Sequence, residues 1–82
     1  MRTIWKYEVP ANNIELPESH TWRYLDVQGE GLCAWAEVDT ETPKIKVDLF
    51  YSGTGHSVPP TATYVGTWRQ GVFVFHMWEA KR

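Results

Sequence analysis

The sequence predicts an all-β fold, a small antiparallel sheet of about six strands curled into a sandwich or an open barrel, on three observations. Aromatic and β-branched residues fall in short runs separated by Gly, Pro, Asn and acidic clusters, which is the punctuation of strands and turns. Several of these runs alternate with period two, and none sustains the 3.6-residue apolar period of a helix. Two pairs of runs are joined by short glycine-bearing links, "QGEG" and "QG", both hairpin signals.

The first strand is expected over residues 3–9, with Trp5, Tyr7 and Val9 on one face and Lys6 and Glu8 on the other. Pro10 and "ANN" end it. In "ANNIELPESH" Ile14 and Leu16 keep period two, but Pro17 cannot donate to a ladder, so this segment reads as an arm or a short edge strand. "TWRYLDV" and "LCAWAEV" form the first hairpin around "QGEG". "DTETP" then leads into "KIKVDLFY", whose Ile45, Val47, Leu49 and Tyr51 share a face assigned to the core. "ATYVGTWR" and "VFVFHMWE" form the second hairpin. In the last strand Val72, Val74, His76 and Trp78 face one way and Phe73, Phe75, Met77 and Glu79 the other. Two largely apolar faces place that strand centrally.

No linker or internal repeat divides the chain, so residues 1–82 read as a single domain. A chain this short buries only roughly 60% of its unfolded surface. Its core is therefore thin, and association with a copy of itself is an expected supplement. Eight Lys and Arg against ten Asp and Glu give a net charge of −2 with no block of like charges, which excludes a basic footprint for duplex nucleic acid. Cys33 has no second cysteine to pair with, and within "LCAWAEV" it reads as a buried thiol, in keeping with a reducing cytoplasm. "MRTIWKYEVP" lacks the apolar core of a signal peptide, and "GVFVFHMW" is far short of the roughly 20 residues that span a membrane. Neither export nor membrane insertion is expected.

The stretch "YSGTGHSVPP" suggests a phosphate cradle, yet it has no lysine, no third glycine and no following helix, so neither a P-loop nor a dinucleotide fingerprint is present. Two readings stay open. Gly53, Thr54, Gly55 and His56 can form a turn whose backbone N–H groups hold an anion, or they are only a crossover stiffened by Val58-Pro59-Pro60. Metal-ligand spacing is missing, because His76 and Glu79 fall on opposite faces of a strand and His20, His56 and Cys33 lie in separate segments. Glu37, Asp39 and Glu41 run into a turn where solvated carboxylates are routine. With no linear signature of acid–base or nucleophilic chemistry, a binding role is expected rather than an enzyme, with no cofactor or metal.

Aromatic residues are the unusual feature, at 15% with five tryptophans. Trp22, Tyr24, Trp35, Tyr51, Tyr64, Trp68 and Trp78 cannot share one buried face of so small a sheet, so some must line a groove or an interface. Rings beside Arg23 and Arg69 can stack a base while the guanidinium meets its phosphate. For a nucleotide-like ligand the candidates are Gly53, Thr54, Gly55 and His56 for the anion, Arg69 for charge, and Trp68, Tyr51 or Trp35 for stacking.

"TIWKYEVP" at the start, "GTGHSVPPTATYVGTW" in the middle and "FVFHMWE" at the end together resemble a family of small uncharacterised proteins of bacteriophages and prophages. The likeness covers nearly the whole chain and carries over no catalytic residue. It implies a cytoplasmic role in an infected host, for instance countering host defence by capturing a nucleotide signal or a defence protein. The alternatives are a protein-interaction module that inhibits or adapts a host or phage protein, and a minor phage structural or assembly protein.

Overall fold

The structure, a computed structural model, describes residues 1–81. It contains seven strands: β1 (Arg2–Val9), β2 (Ala11–Pro17), β3 (His20–Gln28), β4 (Gly31–Asp39), β5 (Lys44–Gly53), β6 (Thr63–Gln70) and β7 (Phe73–Lys81). They form two antiparallel sheets, β1-β4-β3 and β2-β5-β7-β6, and not a closed barrel. The strand beyond the expected six is β2, the proline-containing arm. Pro17 is tolerated because β2 is an edge strand, paired only with β5. A bulge between Ala11 and Ile14 places Asn13 at φ 58°, and its N–H donates to Asp48 Oδ1 at 2.9 Å.

Three connections cross between the layers, β1 to β2, β2 to β3 and β4 to β5. The cis Val9–Pro10 peptide carries β1 of the three-stranded sheet into β2 of the four-stranded one. Both hairpins turn at a glycine with φ 63°, Gly29 between β3 and β4 and Gly71 between β6 and β7. Glycine in the first turn position is what a type II′ hairpin requires.

The core is built from the inward rows of both sheets: Val9, Leu25 and Ala34 from one, Leu49, Val65 and Met77 from the other. Tyr7, Ile14, Trp22, Leu32 and Trp68 pack around them. As the alternation predicts, Val47 and Leu49 are buried and β7 lies between β5 and β6. Met77 and Glu79 point into the core, while His76 and Trp78 lie half-buried on the outer surface. Two further bulges break the alternation, between Trp22 and Tyr24 in β3 and between Tyr64 and Gly66 in β6. Through the first, Trp22 joins the core while Tyr24, two residues on, faces outward beside Trp35.

At Gly66 the two sheets approach closely. A Cβ there would lie 2.7 Å from Leu25 Cβ, so only a residue without a side chain lets β6 close on β3. Gly66→Ala is expected to cost about 1–3 kcal/mol through overpacking, measured by urea unfolding. Gly31→Ala, whose new methyl group would have nothing within 4 Å, is expected to stay within about 0.5 kcal/mol. Equal stabilities of the two variants would contradict this account of the contact.

Candidate functional site

The inward rows of the four-stranded sheet continue past the point where the core ends. Leu49 is followed on its face by Tyr51, Met77 is preceded by Phe75 and Phe73, and Gly66 is followed by Trp68 and Gln70. Beyond the buried cluster the opposite layer stands off from these rings and leaves a space between the sheets. They line a cleft of about 630 Å³, completed by Pro10 at the β1–β2 corner and by Val27, Glu30, Gly31 and Leu32 from the β3–β4 hairpin. Tyr51 meets Trp68 and Phe75 edge to face at 5.8 and 5.7 Å between ring centres, and Trp68 lies against Phe75 at 5.4 Å. Tyr51 remains 53% exposed and Phe73 65%, so the rings are a wall and not a core. Glu30 and Gln70 are the hydrogen-bonding side chains besides the tyrosine and tryptophan, and no Lys or Arg lies among the lining residues.

Of the residues expected to act together, the structure unites Tyr51 and Trp68 in this cleft. Trp35 is on the outer face of the other sheet, against Tyr24 at 5.5 Å. Arg69 follows Trp68 on β6, opposite Val74, and so points to the outer face, away from the cleft. The glycine loop folds back on itself: the Gly53 N–H donates to His56 Nδ1 at 3.3 Å, and the His56 N–H to the Gly53 carbonyl at 3.1 Å. The Thr54 N–H and hydroxyl both reach the Val74 carbonyl at 3.3 Å. Gly55, at φ 89°, supplies the positive-φ position that closes this turn. Three of the four N–H groups proposed for an anion thus have partners inside the protein. With a Cβ on Gly53 falling 3.1 Å from the His56 ring, the loop is packed by its own histidine.

Two hydrogen-bonded clusters escaped the sequence reading. On the outer face of the four-stranded sheet, His76 Nε2 lies 3.0 Å from Thr54 Oγ1 and Nδ1 lies 2.9 Å from Thr67 Oγ1, which in turn meets the Tyr64 hydroxyl. Trp78 Nε1 donates to Ser52 Oγ at 3.0 Å beside them. Between the sheets, Glu79 is 2% exposed and its Oε1 accepts hydrogen bonds from Trp22 Nε1 and from His20 Nε2, each at 2.6 Å. His20 Nδ1 is 2.7 Å from the Pro17 carbonyl, which can only accept. Nδ1 therefore donates, and with Glu79 ionised Nε2 donates as well, which makes His20 an imidazolium paired with a carboxylate. The available signal was Glu79 itself, a charged residue ending the apolar row Phe73, Phe75, Met77.

The hydrogen bond to Glu79 raises the His20 pKa above its ordinary 6.5, with burial opposing. Burial pushes the Glu79 carboxyl up, but the hydrogen bonds from His20 and Trp22 outweigh it and hold the group below its ordinary 4.5.

A family model described as a domain of unknown function, DUF7352, matches residues 1–82, and the chain belongs to that family. Among curated proteins and among solved structures, nothing matches it.

The ion pair ties stability to pH. A raised histidine pKa adds stability that is complete below 6.5 and is lost as pH rises through the folded value. A lowered carboxyl pKa adds stability that is present above 4.5 and is lost as pH falls through the folded value. Unfolding free energy is therefore expected to peak between these limits and to decline on both sides. His20→Gln should flatten the decline on the alkaline side. Wild-type stability that climbs steadily from pH 6.5 to 8 would contradict the assignment.

Proposed function

We propose that this member of an uncharacterised family is a non-enzymatic binding module, and that its recognition site is the aromatic cleft between the open ends of the sheets. The observation that carries the reading is the convergence of Tyr51, Trp68 and Phe75 around an open space of about 630 Å³, within the size range of small-molecule sites. Such a wall stacks a planar ring, and Gln70 and Glu30 offer an amide and a carboxylate to its polar edge. A nucleobase has this chemistry. Since no cation lines the cleft and Arg69 points elsewhere, recognition falls on the base and not on its phosphate. The resemblance of the motifs to phage and prophage proteins supports the setting, stoichiometric capture of a nucleotide-like host signal in the cytoplasm of an infected cell.

A second reading, an interaction module for a host or phage protein or for a second copy of this chain, is favoured by the apolar rim. Val72 is 87% exposed at the tip of the β6–β7 hairpin, next to Phe73. Exposed apolar side chains grouped beside a cleft suit a protein partner. On this reading the rim is the contact, and a solution mass above that of one chain supports the self-associating form.

Calorimetry against nucleosides, linear and cyclic nucleotides and simple aryl compounds separates the readings. Nucleosides are expected to bind as well as the matching nucleotides. Trp68→Ala is expected to weaken them roughly 5- to 150-fold, the range of one aromatic stack. The paired change Gly55→Val and His56→Ala should leave binding unchanged. No heat from any compound removes the ligand reading, and nucleotides binding far more tightly than nucleosides would return the anion to the glycine loop.

A further inference from the structure

Each sheet ends in two edge strands, and three of these four are interrupted. β2 is bulged between Ala11 and Ile14, β3 between Trp22 and Tyr24, and β6 between Tyr64 and Gly66. Such bulges spoil an edge as a template for another strand. β1 has none: its pairing with β4 runs unbroken from Arg2–Asp39 to Val9–Leu32. Two hydrogen bonds fix the phase of that ladder. The Thr40 N–H donates to the Met1 carbonyl at 2.8 Å, one step beyond the Arg2–Asp39 pair, while the Asp39 N–H turns away from β1 and donates to the Ser19 carbonyl at 2.9 Å. Odd-numbered residues of β1 therefore direct their N–H and C=O groups to β4, and Arg2, Ile4, Lys6 and Glu8 direct theirs outward. No strand among the described residues pairs with that side of β1. The same edge carries Trp5, half-buried on the row of Tyr7 and Val9. Trp22, Trp35, Trp68 and Trp78 each meet another ring, whereas Trp5 meets none among the described residues.

We infer that β1 is a contact between two copies of this chain, which pair β1 with β1 antiparallel about a two-fold axis at Trp5 and join their three-stranded sheets into one of six strands. The chain's own pattern selects this register. Opposite residues of an antiparallel ladder both face the partner or both face away, so the axis passes through a residue and not between two. An axis at Ile4 would set Arg2 against Lys6, and one at Lys6 would set that lysine against itself, like charges in either case. At Tyr7 it would place Pro10, which has no N–H, in the ladder opposite Ile4, and at Thr3 the overlap would stop at Trp5. With the axis at Trp5 the strands overlap over residues 2–8, and Arg2 of each copy meets Glu8 of the other. Arg2 holds Glu37 through Nε and Nη2 and keeps Nη1 for this contact, and Glu8 has no side-chain partner among the described residues. Lys6 lies opposite Ile4 of the second copy, 51% exposed in one chain, and covers it with its alkyl stem. The two Trp5 side chains face each other in a non-hydrogen-bonded pair, where the Cα atoms approach to roughly 4.5 Å and rings meet across the strands. The contact leaves the cleft open: at roughly 3.3 Å per residue, the two Val9 ends lie about 26 Å apart along the strands. It is also separate from the apolar rim at Val72.

Sedimentation velocity over about a hundredfold range of protein concentration tests the proposal. The mass is expected to rise from that of one chain towards that of two. Glu8→Arg should weaken association at least about fivefold. Mixing it with Arg2→Glu should restore the dimer, since residues 2 and 8 of the two variants then meet as opposite charges. Ile4→Pro removes an outward N–H and leaves the β1–β4 ladder whole, so it should keep the fold by circular dichroism and weaken association at least about fivefold. Should Ile4→Pro not fold, Glu8→Arg and the mixture carry the same test. Trp5→Cys, at the axis, is expected to cross-link to itself on mild oxidation, and the wild type, whose one cysteine is buried, is not. A one-chain mass at every concentration, or a dimer indifferent to both Glu8→Arg and Ile4→Pro, would overturn the proposal. So would a dimer lost on Val72→Asp and kept on Glu8→Arg, which returns the contact to the β6–β7 rim.

Discussion

One buried carboxylate ties the two layers of this protein together. Glu79 belongs to β7 of the four-stranded sheet, and its partners His20 and Trp22 belong to β3 of the three-stranded one. A carboxylate in a thin core is costly unless every lone pair finds a donor. Here the donors come from the opposite layer, so the charge is tolerated only while the sheets keep one relative position. That position also brings Leu25 onto Gly66, and the core cluster closes around the same contact. The aromatic cleft opens where the cluster ends, so its shape follows from the register that Glu79 helps to hold.

The surplus of rings has a geometric cause. A strand keeps alternating after the core has ended, and its inward residues then face a gap between the layers. In β5, β6 and β7 those positions hold Tyr51, Trp68, Phe73 and Phe75. Aliphatic residues would leave the same gap, but aromatic ones pack edge to face against each other and keep their order without an opposing layer. The Tyr7 hydroxyl illustrates the opposite case: fully enclosed, with no hydrogen-bond partner among the described residues, it is a polar atom the core accommodates at a cost.

Much of the fold was legible because period two is a strong signal when one face is buried. The β5 face Ile45, Val47, Leu49, the central place of β7 and both glycine turns follow from it directly. The bulges at Arg23 and Val65 were not legible, since an inserted residue exchanges the faces of everything after it without any local mark in the sequence. That is why Tyr24 faces outward while Trp22 faces the core; Trp35, expected with Trp68 and Tyr51, lies beside Tyr24 because β4 belongs to the other sheet and turns Ala34 and Ala36 inward. The glycine loop stayed open between two readings for a different reason. Glycines and a histidine announce a turn with backbone donors, but that His56 and Val74 engage them depends on how the loop folds back on β7.

The two aromatic groups differ in what surrounds their rings, and this difference bears on what each can hold. In the cleft the rings stand among apolar neighbours with one amide and one carboxylate, an environment in which a phosphate would lose its hydration without gaining a counter-charge. On the three-stranded sheet Trp35 and Tyr24 stand among charges of both signs, Arg2, Arg23 and Lys6 with Glu8, Asp26, Glu37 and Asp39. Enclosure suits a small uncharged ring. A protein of this size can present both because its sheets have separate inner and outer rows, and a single-residue bulge decides which ring belongs to which.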